Sequence, residues 1–424
     1  MAPALNNLYR PAFLLHPNWL AAALAAVVFL QFALNRGGSD QAIWVAGLLL
    51  ALQLMDKDQR QRALSHRTLV ILGVTAALLL LSWAFSPAGT DTHRSLRVVR
   101  FVILVLAVHH LAHHRPDRAW LWVTLLVSAI VIWQLGARHL AGHLFGTFDN
   151  PHYLAYFAAL LLPVLVLLIA ELEPPYRWFA AVILLLAFDP VLNILWAPTI
   201  PLLAIGAAVA VVAWSATGPR VRRGLAVGAA AFAVGLSLYL PGKPLRPIGQ
   251  PIPGDDERVQ IWSDTVRMIA DGDGPAWLIG HGIGSFQEDF ARYSSPAYRD
   301  FALPHNHFLE LLYENGVVGL TLVLVSLGYL ALHALRLAWM LEQVGLRRLA
   351  RCNLAALTIW FTFSFLAFSV YSRYTLYPFA ILVGIHLFLS DELDAQARAR
   401  RRGESLVAST DQASEPCLTP RSAS

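Results

Sequence analysis

Charged residues are scarce in this sequence. They make up 14% of its 424 residues, whereas a soluble domain of this length carries roughly a quarter. Hydrophobic residues make up 57%, and the mean hydropathy is +0.54. This apolar surplus is larger than one globular core can bury, which excludes an ordinary soluble domain.

Cysteine is also nearly absent, since only Cys352 and Cys417 occur. Neither lies in the longest polar segment, so no disulfide framework is expected there. The basic isoelectric point, near 9.4, is compatible with nucleic-acid binding. However, the basic residues cluster at the ends of apolar runs, which is the usual orientation signal of a membrane protein. Nucleic acid is therefore not expected as a partner, whereas membrane lipid is.

Apolar runs of about 15 to 24 residues recur along the chain, and each can cross about 30 Å of hydrocarbon as a helix. The runs are continuous rather than alternating, which indicates helices and not a barrel. The first, from near Trp19, is not followed by an A-x-A-like cleavage site, so it is interpreted as a helix and not as a removed signal peptide. We predict an all-α polytopic membrane protein with about twelve transmembrane helices, near 18–35, 41–55, 68–85, 98–113, 119–136, 153–170, 178–196, 199–214, 224–240, 317–338, 352–371 and 375–390.

The distribution of Lys and Arg predicts the orientation. With the N-terminus inside, the cytoplasmic short loops and termini hold about 19 basic residues and the outer short loops about six, as the positive-inside rule requires. Both termini are then cytoplasmic. Residues 1–240 hold nine helices with short loops, 241–316 form one long periplasmic loop between the ninth and tenth helices, 317–390 hold the last three helices, and 391–424 form a disordered cytoplasmic tail.

The long loop contains the residues best suited to chemistry. His305 follows Pro304 and precedes Asn306, which is a good N-cap for a short amphipathic helix that Gly316 would end. The partial positive charge of a helix N-terminus disfavours imidazolium, so it favours a neutral His305 that can act as a general base. The same terminus suits an anionic ligand such as a diphosphate. The alternative is that His305 and His307 are interfacial residues without a role.

Arginines on the outer side are candidates for binding that anion. Arg258 suits a diphosphate because its planar guanidinium is always charged, and Trp262 would share its helical face. Arg258 could instead pair with neighbouring acids, which would contribute little. Arg94, Arg97 and Arg100 run against the orientation rule, and Arg100 falls within the predicted span 98–113, where charges are usually functional. The alternative is that they extend to lipid phosphates.

The glycines at 280, 282 and 284 could suggest a nucleotide-binding loop. The strand–turn–helix context of such a loop is missing, and this side of the membrane lacks nucleotide pools, so we predict a backbone turn. Asp271-Gly272-Asp273 is also interpreted as a turn. No metal ion and no cofactor are therefore expected for this protein.

Together these residues form a pattern that resembles the O-antigen ligase / polymerase family of membrane glycosyltransferases. The family shows an Arg, a Trp four residues later, Gly-x-Gly with a following Phe, His-Asn, nine residues, and Gly-x-x-Gly. The corresponding residues here are Arg258, Trp262, Gly280, Gly282, Phe286, His305, Asn306, Gly316 and Gly319. The segment from Gly146 to Ala155 is similar to a second family motif, and the resemblance covers about residues 140–325.

The resemblance implies a glycosyltransferase C-type fold and a metal-independent, inverting transfer. The donor would be undecaprenyl-diphosphate-linked O-antigen, and the acceptor a sugar of lipid A–core at the periplasmic face of the bacterial inner membrane. His305 would be the catalytic base, and Arg258 would bind the diphosphate. Asn306 would cap the helix or orient His305, and Trp262 and His307 would support the site. The family's mid-chain Ser-Arg pair is missing near Thr199, so Arg94, Arg97 or Arg100 would have to replace it.

Three other functions fit parts of the pattern. An O-antigen polymerase uses the same donor but tends to have two large arginine-rich outer loops, and this chain has one. A protein O-oligosaccharyltransferase acting on pilin often has a longer segment after the motif. A transporter or flippase would place ionisable residues near the bilayer midplane, where only Asp189 is prominent here.

Overall fold

The computed structural model describes residues 17–34, 38–55, 66–85, 92–114, 119–140, 151–193, 199–216, 255–272, 274–294, 304–366 and 371–402. This part of the chain is helical and contains no strand. Its helices, in chain order, are α1 Pro17–Phe32, α2 Gly38–Gln53, α3 His66–Phe85, α4 Thr92–His114, α5 Ala119–His139, α6 Pro151–Glu171, α7 Tyr176–Asn193, α8 Thr199–Ala216, α9 Asp255–Ala270, α10 Gly274–Ile279, α11 Ser285–Tyr293, α12 His307–Met340, α13 Val344–Leu366 and α14 Arg373–Arg401.

Eleven of the twelve predicted spans coincide with one of these helices, because an apolar run without internal breaks favours the conformation that satisfies its own backbone. The predicted span 224–240 lies outside the described residues. By length and composition, α12, α14, most of α4 and most of α6 can cross a membrane, and α1 and parts of α3 and α5 are shorter apolar helices. The fold is consistent with a polytopic membrane protein, while the number of twelve spans stays a prediction.

Helices α4 and α14 form the centre of one half of the molecule, with α1 and α2 packed beside them. Their shared core contains Leu20, Ile43, Leu104 and Tyr377, all of which are buried. Gly384 allows the close approach, because a Cβ at this position would meet the backbone of Val105 on α4. Small residues commonly serve this purpose where membrane helices pack.

A second group of helices packs around α6 and α13. Phe32 of α1 stacks on Phe157 of α6 with 4.7 Å between ring centroids. Tyr156, on the same helix, lies 5.0 Å from Phe363 of α13. Helix α13 also contacts α8, α12 and α14, and so joins the two groups.

The helices α9 to α11 come from the predicted periplasmic loop and pack on the first turns of α12. A small core of Ile261, Met268, Phe286, Phe290 and Tyr313 holds them there. The predicted short helix that ends at Gly316 is not separate from the next span. The backbone breaks at Gly316 (φ 64°, ψ −173°), but the helix resumes at once and continues to Met340.

Helix α14 continues to Arg401, so the predicted tail from residue 391 begins about one helical segment too early. The polarity of this stretch suggested disorder, but its side chains have partners. Gln396 accepts a hydrogen bond from the backbone N–H of Glu342 at 3.3 Å, and Arg400 pairs with the Glu342 carboxylate. Leu393 packs into a core cluster with Leu341.

Candidate functional site

His305 lies in the left-handed region of the backbone, with φ of 52°. It is the one residue other than glycine with positive φ among those the structure describes. Such a conformation costs about 1–3 kcal/mol and persists only where its surroundings impose it. His305 is half-buried, between a buried Pro304 and a buried Asn306. The surroundings therefore hold the backbone of this titratable residue in a strained conformation.

Asn306 caps α12, as the sequence predicted. Its side-chain oxygen accepts hydrogen bonds from the backbone N–H groups of Phe308 at 2.9 Å and Leu309 at 3.2 Å. Replacing such a cap by alanine typically costs about 1 kcal/mol. The cap fixes the first turn of α12 immediately after His305, so the partial positive charge of that turn begins directly after this residue in the chain.

Trp262 holds the other side of the same segment. Its indole Nε1–H on α9 donates a hydrogen bond of 2.8 Å to the carbonyl of Pro304, one residue before His305. Arg258 lies one helical turn before Trp262 on α9, as predicted, but its side chain is outside the described residues. The tryptophan of the predicted arginine–tryptophan pair therefore has a structural role, because its hydrogen bond attaches α9 to the His305 segment.

The glycine-rich segment is a turn, which confirms the prediction made from its sequence. Gly280, Gly282 and Gly284 all have positive φ, between 80° and 99°. The turn binds to the last residues of α12 before its break. The N–H of His281 donates to the carbonyl of Tyr313 at 3.0 Å, and the N–H of Gly282 donates to that of Glu314 at 2.9 Å.

Gly280 and Gly316 lie where two backbone segments touch, and both positions require glycine. A Cβ on Gly280 would collide with the backbone of Glu314 and Asn315, and a Cβ on Gly316 would collide with the backbone of Leu278 and Ile279. The end of α10 and the break in α12 thus lie in direct backbone contact. This contact fixes the α10–α11 segment on the helix that begins after His305.

Two buried glutamates on α12 had no role in the sequence-based prediction. Glu310 and Glu314 are each 0% exposed. One carboxylate oxygen of Glu314 accepts a hydrogen bond from the N–H of Phe286 in the first turn of α11, at 3.3 Å. A carboxylate at that position offsets the positive end of α11. The sequence did contain a signal for this pair, because two acids four residues apart share one face of an otherwise apolar helix.

Arg97 is brought towards α12 through Tyr371. Its guanidinium Nη1 donates to the carbonyl of Tyr371 at 3.2 Å, and the Tyr371 hydroxyl donates to the side chain of Asn315 at 2.6 Å. Tyr371 also packs with Ile283 and Leu311. Arg97 thus lies next to the layer formed by the glycine turn and the first part of α12. A carbonyl acceptor leaves its positive charge unneutralised.

Arg100 and Arg94 are in different situations. Arg100 is 6% exposed and forms an ion pair of 2.9 Å with Asp40 of α2, which also accepts a hydrogen bond from the Tyr377 hydroxyl at 2.6 Å. Arg100 therefore joins α2, α4 and α14. Arg94 lies in the first turn of α4, and its side chain is outside the described residues.

His307, the first residue of α12, faces inwards. It is 3% exposed, and its ring lies 6.1 Å from that of Trp360 on α13. His305 and His307 therefore differ in environment, although the sequence offers them as a pair. Of the two, His305 is the more exposed side chain.

The family model described as O-antigen ligase matches residues 178–324. The matched segment begins in α7 and ends in α12, so it contains α9 to α11, His305 and Asn306, whereas Arg97 and Arg100 precede it. A search of the curated proteins found no match. The resemblance drawn from the sequence motifs is thereby confirmed over the matched segment, which is similar to the O-antigen ligase family.

Proposed function

We propose that this protein is an O-antigen ligase, which transfers O-antigen polysaccharide from undecaprenyl diphosphate to lipid A–core. The match of residues 178–324 to the O-antigen ligase family model supports the class of membrane glycosyltransferase acting on a lipid-linked polysaccharide. The observation that carries the proposal further is the geometry of His305. It combines a strained backbone, a capped helix start and a tryptophan anchor at one half-buried histidine.

The proposed step is a single displacement. The Nε2 or Nδ1 atom of neutral His305 removes the proton of an acceptor hydroxyl, whose oxygen forms a bond to the anomeric carbon of the donor. The bond from that carbon to the diphosphate oxygen breaks, and undecaprenyl diphosphate leaves with the electron pair. The configuration of the anomeric carbon inverts. General-base assistance of this kind typically contributes about 10²- to 10⁴-fold to the rate.

Stabilisation of the leaving diphosphate requires fixed positive charge. Arg258 remains the first candidate, because it lies one turn from Trp262 on the helix that holds the His305 segment. Arg97 is the best-supported second candidate, because its carbonyl partner leaves the guanidinium charged. Arg100 is the weaker candidate, since Asp40 already neutralises it, and Arg94 stays a prediction.

The proposed location is the bacterial inner membrane, with several spans, cytoplasmic termini and the site at the periplasmic face. The excess of Lys and Arg in alternate loops supports this orientation. The transfer chemistry is proposed to be metal-independent, as the resemblance to the O-antigen ligase family implies.

Lipopolysaccharide banding in a ligase-null strain that still makes lipid-linked O-antigen is the direct test. Expression of this protein, with a compatible core present, is expected to restore long-chain ladders, and His305→Ala is expected to abolish them. A blot of membranes checks that the variant inserts. His114 is the last residue of α4 and lies at the end of that helix opposite Arg97. His114→Ala is therefore the matched control and should keep the ladder.

The other outcomes separate the alternatives. Near-normal ladders from His305→Ala would remove His305 as the base. No ladder from the inserted wild-type protein would reject the ligase function. A polymerase would then be recognised by an increase in glycan chain length, and a protein glycosyltransferase by an increase in pilin mass.

A further inference from the structure

Three ligand groups meet at the end of α4 farthest from His305. His109 and His113 are one helical turn apart on α4, and Asp391 faces them from α14. The Nε2 atoms of the two histidines lie 2.9 Å and 3.3 Å from the same Asp391 oxygen, Oδ2. The two Nε2 atoms are 3.2 Å apart. No part of the proposed transfer mechanism uses this cluster.

The three distances match the edges of a metal coordination shell. Bonds of about 2.0–2.1 Å to nitrogen and oxygen in a tetrahedral zinc site place neighbouring ligand atoms about 3.3 Å apart. The observed separations of 2.9, 3.2 and 3.3 Å need changes of a few tenths of an ångström at most to accept an ion between them. All three ligand atoms lie within 4.8 Å of one another.

The surroundings hold the ligands in place and leave one side open. His109 is fully buried, whereas the side chains of His113 and Asp391 are 24% and 23% exposed. The ring of His113 lies edge-on against Phe388 of α14, with centroids 5.1 Å apart. The exposed side offers an entry path, and a water molecule there can complete a four-coordinate shell.

The ligand types select the class of metal. Two imidazoles with one carboxylate suit zinc and the neighbouring first-row divalent ions, whereas magnesium and calcium prefer sites made of oxygen alone. Without a metal, the same three groups form a histidine–aspartate hydrogen-bond cluster. These two states differ in whether the Nε2 atoms carry a proton or bind an ion.

The position of the cluster between α4 and α14 means that a bound metal would affect how these two helices are held together. Arg97 and His109 are twelve residues apart on α4, which is about 18 Å along the helix. The other end of the α4–α14 pair carries Arg97 on α4 and Tyr371 just before the start of α14. Arg97 donates a hydrogen bond to the carbonyl of Tyr371. A metal bound to His109, His113 and Asp391 would connect α4 to α14 directly. It would thereby restrain the two elements that position Arg97 beside α12.

We propose that His109, His113 and Asp391 form a binding site for a divalent transition metal of the zinc class, which joins α4 to α14 at the end of the molecule opposite the candidate transfer site. The metal is structural and takes no part in the transfer step.

The test uses the full chain, purified in detergent without a histidine tag and treated with EDTA, which is then removed. Titration with Co²⁺ as the probe is expected to give the intense visible bands of tetrahedral cobalt, saturating near one ion per chain, and Zn²⁺ should abolish them. His113→Gln and Asp391→Asn are expected to weaken Co²⁺ binding by at least about tenfold. His114→Gln, on the same helix end, is the matched control and should bind as the wild type does.

The result is decisive in either direction. A wild-type protein that gives only the pale spectrum of hydrated Co²⁺, or equal binding by the wild type and both ligand variants, would overturn the proposal and leave a hydrogen-bond cluster. Should a variant fail to fold, the wild-type spectrum and its reversal by Zn²⁺ still decide the question. Mg²⁺, which the ligand set disfavours, should not displace cobalt.

Discussion

At the scale of single residues, Arg97 and Arg100 had the same role in the sequence-based prediction but have different partners in the structure. They lie one turn apart on α4, and both were candidates for the diphosphate. Arg97 donates to the carbonyl of Tyr371, whereas Arg100 pairs with the carboxylate of Asp40. A carbonyl does not cancel a positive charge and a carboxylate does, so their expected effects separate.

Arg97→Ala is therefore expected to lower kcat/KM for the lipid-linked donor by about 10- to 100-fold, since a hydrogen bond to a charged group contributes about 1.5–3 kcal/mol. Arg100→Ala is expected mainly to lower stability by roughly 1–3 kcal/mol, because Asp40 loses its partner. Transfer kinetics and thermal melting of both variants measure the two effects. Equal kinetic losses with unchanged melting would contradict this division.

Trp262 makes a second prediction at this scale. Trp262→Phe keeps the ring but removes the Nε1–H that donates to Pro304. The free energy of unfolding should fall by about 0.5–1.5 kcal/mol, and transfer should fall more than binding of the donor, because His305 loses its position.

Trp277→Phe is the matched control for that variant. Trp277 lies in α10 of the same loop and is 49% exposed, so its replacement should leave both transfer and melting near the wild-type values. Equal transfer rates in the two variants would show that the Trp262 bond does not position His305.

At the scale of secondary structure, the break in α12 decides how the loop helices sit on the membrane helices. The sequence indicated a stop at Gly316, and glycine there is needed, but for two reasons that the sequence does not distinguish. Its φ is 64°, and the backbone of Leu278 and Ile279 occupies the space of its missing Cβ. The helix continues because the residues after it are apolar.

Gly316→Ala is accordingly expected to be strongly destabilising, by roughly 3 kcal/mol or more, since a side chain at a φ of 64° and a ψ of −173° costs about 1–3 kcal/mol and the collision adds to it. Gly328→Ala is the control within the same helix. A Cβ there meets nothing within 4 Å, and an ordinary helical glycine replaced by alanine is stabilised by about 0.4–1 kcal/mol. Thermal melting of both proteins in one detergent gives the comparison, and similar melting temperatures would contradict the assigned contact.

The predicted elements were most accurate where one property dominates. Long apolar runs predicted helices such as α5 and α6 to within a few residues, because backbone satisfaction in lipid allows little else. The end of α14 was placed too early because its last turns are polar. Their order depends on Leu341 and Glu342, which follow the end of α12 and lie far away in sequence.

At the scale of the whole molecule, the loop helices and the membrane helices form a connected unit around α4, α12 and α14. Arg97 reaches Tyr371, Tyr371 reaches Asn315, and Trp262 reaches Pro304. The candidate site thus depends on contacts between segments that are up to 274 residues apart in the chain. Its orientation relative to the membrane remains a prediction from charge alone.

Cysteine labelling tests that orientation. In a Cys352→Ser background, a membrane-impermeant maleimide applied to intact cells with a permeabilised outer membrane should label Gln287→Cys and leave Cys417 unlabelled. Gln287 is exposed on α11, and Cys417 is in the predicted cytoplasmic tail. Cys417 should react only after the inner membrane is opened. The reverse pattern would place the site on the cytoplasmic side and reject the proposed function.

The sequence by itself determined the helical class, the approximate positions of eleven helices, the turn at Gly280 to Gly284 and the helix cap at Asn306. Each of these depends on local properties: apolar length, positive φ at glycine, and a capping side chain. Only the tertiary structure separated Arg97 from Arg100, turned His307 inwards and gave buried roles to Glu310 and Glu314. It also joined His109 and His113 to Asp391. These outcomes depend on which distant segment packs against each side chain, and a local pattern of residues does not contain that information.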